Sequence, residues 1–77
     1  MTVAELLETT DPDALSNAVE STQSALDLAK EVPLAYATAV VMEQHSTSRY
    51  GAYRLLLAAQ REGLVDIDAV LQTLRFL

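Results

Sequence analysis

Midway along this chain, VPLAYATAVVM places eleven residues, Val32 to Met42, in succession without a charge. On a helical wheel Leu34, Ala37 and Val41 share one side, Tyr36 and Val40 point roughly the other way, and Thr38 is the single polar interruption before Glu43. A helix that is apolar all round is buried all round, and this one falls well short of the roughly 20 residues a bilayer span needs. Val40 and Val41 also suit a strand, but no other segment reads as its partner. The spacing therefore predicts a helix that opens at Pro33, since the residue before a proline is pushed out of the α region. The rest of the chain has to enclose it.

Little chain is available to do so. Seventy-seven residues make one domain, read here as a single helical domain over 1–77, and a chain of that length buries only about 60 to 65% of its unfolded surface. With no cysteine, disulfides and thiolate metal sites are both excluded. Oligomerisation is then the remaining staple for a small core.

The flanking segments carry helix signals. Thr2 followed by Glu5 has capping-box spacing, with Val3, Leu6 and Leu7 behind it, and predicts a short helix ending by Glu8. Asp11 and Pro12 are an N-cap and a first helical residue. The second helix then follows a seam of Leu15, Val19, Thr22, Leu26 and Ala29 as far as Pro33. Ser46, Thr47 and Ser48 are candidate caps for a fourth helix from about Arg49 to Glu62, closed by Gly63 with Leu64 behind it. Asp66 is read as the cap of a last helix bearing Ile67, Val70, Leu71 and Leu74, with Phe76 and Leu77 at its end. The expected fold is all-α: a compact bundle of four to five short helices, completed by self-association.

Net charge is −6, unevenly spread. Residues 1–44 hold eight acids against Lys30 alone, whereas residues 45–77 hold Arg49, Arg54, Arg61 and Arg75 against Glu62, Asp66 and Asp68. The first half could meet a basic partner, or the two halves could dock across a symmetry axis; plain solubility is the simpler reading. MTVAELLETT has no basic n-region and is not expected to be a signal peptide. A cytoplasmic protein with no membrane contact is expected.

Catalytic signals are weak. Glu43, His45, Ser46 and Ser48 supply the residue types of a triad, but crowded at one helix end they lack the separate spatial roles a triad needs. Gly51 and Gly63 form no phosphate-cradling loop. One His and no Cys fall short of the three or four ligands of a metal site. No enzymatic activity, cofactor or metal is expected.

STSRYGAYRLLLAAQREGLV, about a quarter of the chain, resembles the polar turn and recognition helix of a helix-turn-helix protein, winged or plain. The resemblance implies a DNA-binding regulator with residues 48–62 as recognition helix and Ser48, Arg49 and Tyr50 near base edges or phosphates. Against it stand an apolar helix before the turn, no tight-turn glycine ahead of Ser46, no wing after Val65 and an acidic net charge. Nucleic acid is therefore the alternative partner. The leading expectation is a small acidic interaction protein, an adaptor, regulator or accessory subunit. It would form a homodimer or higher assembly, or meet another protein, through the central helix and the Tyr/Leu side of the next. Tyr36, Val40, Arg49, Tyr50, Tyr53, Arg54 and Leu57 are the candidate contact residues, since Tyr and Arg bring large area with a polar tip.

Overall fold

In the computed structural model, which describes residues 2–77 and Pro12 by its backbone alone, the chain opens with two helices at the capping signals. The first, α1, is Val3–Glu8, with Thr2 as N-cap. The Thr2 hydroxyl accepts from the Glu5 N–H at 3.2 Å, and the Glu5 carboxylate accepts from the Thr2 hydroxyl and backbone N–H at 3.0 and 3.3 Å. Those two bonds, the hydroxyl's foremost, hold the Glu5 carboxyl below its ordinary value. The second helix, α2, is Pro12–Ala25, and Asp11 caps it through the Asp13 N–H.

The α2 helix stops eight residues short of Pro33, not against it as the seam suggested. Asp27 and Leu28 both take left-handed backbone, φ 59° and 58°, and turn the chain. Gln23 secures that turn: its carbonyl accepts from the Leu28 N–H and its side-chain amide donates to the Ala29 carbonyl, each at 2.9 Å. Leu26 and Ala29 still pack against the core, but from beyond the helix end. The freed residues Glu31–Pro33 form a strand, β1.

Helix α3 is Leu34–His45 and α4 is Arg49–Arg61. After α4, the Gly63 N–H donates to the Gln60 carbonyl and the Leu64 N–H to that of Ala59, with Gly63 at φ 75°, the expected glycine-closed helix end. The chain then departs from expectation. In place of a last helix there is a hairpin of β2, Val65–Asp68, and β3, Thr73–Phe76. Strand β3 is central in a three-stranded antiparallel sheet of order β1-β3-β2. The fold is α+β, and the all-α helical bundle is overturned by this sheet.

The side chains give the reason. Asp66 is not a helix cap; its carboxylate faces Arg75 across the ladder at 3.3 Å. Asp68 is the residue that turns the chain, accepting from the N–H groups of Val70 and Leu71 at 2.9 and 3.0 Å. Val70 and Leu71, read as residues of that last helix, sit at the hairpin tip, 91% and 68% exposed. Leu74 pairs with Val32 on one side and Ile67 on the other, and Val65 with Phe76. Alternation along Thr73–Phe76 sends Leu74 and Phe76 to the core and leaves Arg75 exposed.

This sheet is the partner that the central run appeared to lack. Leu34, Ala37, Thr38 and Val41 of α3 are buried, with Leu55, Leu56, Ala59, Val65 and Leu74 in the same core. The helix is not enclosed on all sides, however: Ala35, Tyr36 and Ala39 are exposed. Two small alanines let an apolar wheel carry an open side at little cost in exposed area. Thr38, buried, donates to the Leu34 carbonyl at 2.8 Å. Thr22, also buried, shares its O–H between the Ala18 carbonyl and Gln44 Oε1, while Gln44 Nε2 donates to the Ser21 carbonyl, so α2 and α3 are clamped together. Among the described residues, no helix is long and apolar enough to cross a membrane.

Candidate functional site

Three residues separate α3 from α4, and their geometry fixes how α4 is presented. Ser46 closes α3 in left-handed backbone, φ 49° and ψ 47°, the role a glycine was expected to fill. The Thr47 N–H donates to the Met42 carbonyl at 3.1 Å. Ser48 is the N-cap of α4, its hydroxyl accepting from the Gly51 N–H at 3.2 Å. Helix α4 is then pinned at its far end, where Gln60 Oε1 accepts from the Ile67 N–H of β2 at 2.8 Å.

Inward, α4 buries Ala52, Leu55, Leu56 and Ala59. Outward, successive turns present Arg49, Tyr50, Tyr53, Arg54, Leu57 and Arg61, all exposed. Tyr50 is 74% exposed, and the Arg54 guanidinium lies 5.9 Å from the centre of its ring, within cation–π range. Three of the five Lys and Arg side chains thus stand on one side of one helix. The Arg75 side chain is paired with Asp66 instead.

Two clefts flank this side. One, about 660 Å³, runs between α3, the first half of α4 and the hairpin; Ala35, Ala39 and Met42 share its lining with Arg49, Tyr50, Tyr53 and, from the hairpin, Gln72. No acidic residue lines it. The Gln72 carbonyl accepts from the Leu34 N–H at 2.8 Å, fixing the base of the hairpin to the start of α3. The other cleft, about 700 Å³, lies where α1 and the start of α2 meet α4, and there Arg54, Leu57 and Arg61 share the lining with Asp11 and Glu62.

The seven candidate contact residues therefore do not form one patch. Arg49, Tyr50 and Tyr53 come together at the first cleft, and Arg54 and Leu57 line the second. Tyr36 and Val40 line neither; Tyr36 is 64% exposed and Val40 half-buried, on another side of α3. His45 is the half-buried last residue of α3, and the Ser48 hydroxyl is engaged as a cap. No group of three or more His, Asp and Glu suited to a metal ion occurs among the described residues. Sequence reasoning missed Ala35, Ala39, Met42 and Gln72 as cleft residues. The available signal was the Asp68 turn with alternation on either side of it, which brings Gln72 back to α3.

The hairpin of β2 and β3 directly follows α4, where a last helix was expected. Compared with protein-family models, curated proteins and solved structures, the chain matches none.

Proposed function

We propose that this domain binds duplex DNA, with α4 as the helix that enters the major groove. The observation that carries the proposal is the presentation of α4. Its Ser48-capped N-terminus and its Arg49, Tyr50, Tyr53 and Arg54 side chains project outward from a rigid turn, between α3 and a hairpin. Recognition helices contact base edges from their N-terminal residues, and Arg and Tyr supply the charge and donors for that contact. Two of the sequence arguments against DNA lose their basis. A hairpin follows Val65, and Ser46 makes the tight turn without glycine. The acidic net charge belongs to the whole chain, whereas the outward side of α4 carries Arg49, Arg54 and Arg61.

Fluorescence anisotropy with a labelled mixed-sequence duplex at low salt tests the proposal. Binding is expected, and Arg49→Ala with Arg54→Ala is expected to abolish it while leaving thermal melting unchanged, because both side chains are exposed. A wild-type protein that leaves the duplex free at 20 mM salt would sink the reading.

Association between copies is the second reading, that of a small homo-oligomeric interaction protein. It is favoured by apolar side chains standing outside both clefts, Tyr36 at the start of α3 and Val70 and Leu71 at the hairpin tip. Its original ground, a central helix with few elements to surround it, is narrowed to the side of α3 that the sheet and α4 leave open, where Ala35, Tyr36 and Ala39 are exposed. Sedimentation equilibrium decides: a concentration-dependent mass that Val70→Ser with Leu71→Ser reduces to the monomer supports it, and a monomer across the range rejects it.

A further inference from the structure

We infer that α4 reads a guanine with a thymine beside it: Arg49 takes the guanine, and the thymine C5-methyl enters the cleft between α3 and α4. The inference rests on the DNA-binding proposal and deepens it from binding to readout.

The major groove is read by a short list of chemistries, and the side chains of α4 eliminate most of it. Bidentate reading of adenine needs an amide that accepts from N6 and donates to N7. Gln60 is the single amide on α4, and its Oε1 is committed to the Ile67 N–H. The usual reader of the cytosine amino group is a carboxylate, and Arg49–Arg61 contains none. Arginine at guanine O6 and N7, and apolar contact with the thymine methyl, remain.

The cleft says how the two are arranged. Arg49 stands at the helix start where base edges are met, and it lines the same cleft as Ala39, Met42, Tyr50 and Tyr53. One cation and a mostly apolar lining thus share one cleft, as an adjacent guanine O6/N7 and thymine methyl share the major groove. Arg54 is the weaker candidate for the guanine, because its guanidinium lies over the Tyr50 ring and the side chain is one turn further from the helix start.

Base analogues test this without altering the protein. A duplex is selected from a random pool by binding and then resynthesised with 7-deazaguanine, which removes N7, or with deoxyuridine, which removes the methyl and leaves pairing intact. Each analogue is expected to weaken binding about five- to 150-fold, the range of one specific base contact. Sensitivity to 7-deazaguanine should vanish in Arg49→Ala and sensitivity to deoxyuridine in Tyr50→Ala with Tyr53→Ala. A selected duplex that binds but tolerates both analogues overturns the readout and leaves DNA binding standing. A pool that yields no bound duplex overturns both. Analogue sensitivity that persists in the variants assigns the contact to other residues and likewise overturns it.

Discussion

Gly51 shows how much one residue can depend on its neighbour. It sits in the first turn of α4, where a Cβ would collide with Thr47 Oγ1 and lie 3.3 Å from Thr47 Cβ. Alanine is favoured over glycine in a helix by about 1 kcal/mol, so the sign of Gly51→Ala is set by whether Thr47 can move away. Thr47 is held by its backbone bond to Met42 and by the left-handed Ser46 before it. Gly51→Ala is accordingly expected to destabilise the wild-type chain and, in a Thr47→Ala background, to stabilise it by up to about 1 kcal/mol. Urea denaturation of the four proteins in the cycle measures it, and additive effects would mean that the turn yields. The sequence offered Ser46, Thr47 and Ser48 alike as caps, with no sign that Gly51 is there for the close approach of Thr47.

Among the elements, β3 links the most. It is the middle strand, and Leu74, fully buried, stands between Val32 and Ile67. Truncating such a core leucine costs about 2–5 kcal/mol, against a total of about 4–12 kcal/mol for a domain this size. Leu74→Ala is therefore expected to leave much of the chain unfolded at 37 °C, whereas Arg75→Ala, which loses only the exposed pair with Asp66, should cost no more than about 1 kcal/mol. Equal midpoints for the two in thermal melts would contradict the sheet-centred core. The helices were legible because each announces itself locally: the Thr2–Glu5 box, Asp11 before Pro12, Ser48, and Gly63 after α4. The strands were not, because none exceeds four residues. Over so short a span, Ile67, Val70, Leu71 and Leu74 match helical spacing as well as they match two strands and a turn.

For the whole molecule, charge bounds what DNA binding can be. The outward side of α4 offers three arginines, and the hairpin residues Val65–Phe76 add no cation except Arg75, which is paired with Asp66. With Arg49 on a base, Arg54 and Arg61 are left for phosphates; at about 0.9 per neutralised phosphate, the slope of log affinity against log salt should be no steeper than about −2, and Arg54→Ala or Arg61→Ala should each make it shallower by about one. A titration between 20 and 200 mM salt reads this directly. A slope of −5 or steeper would require two copies on one duplex, joining the two functional readings. The candidate contact residues are legible in the sequence by type, Tyr and Arg above all, on two successive helices. Type alone could not separate Tyr36 and Val40 from Arg49, Tyr50 and Tyr53, since that depends on which side of α3 meets α4.

By itself the sequence determined the extents of α1 and α4, the starts of α2 and α3, the position of the polar turn and the concentration of arginine on α4. Each of these follows from interactions within a few residues: caps, prolines, a glycine, a helical period. The tertiary structure alone decided that α2 stops at Ala25, that Glu31–Pro33 is a strand and that residues 65–76 fold back as a hairpin. A three-residue strand has no stability of its own. Val32 becomes one because Leu74 lies beside it, some forty residues along the chain, and no local pattern encodes that pairing.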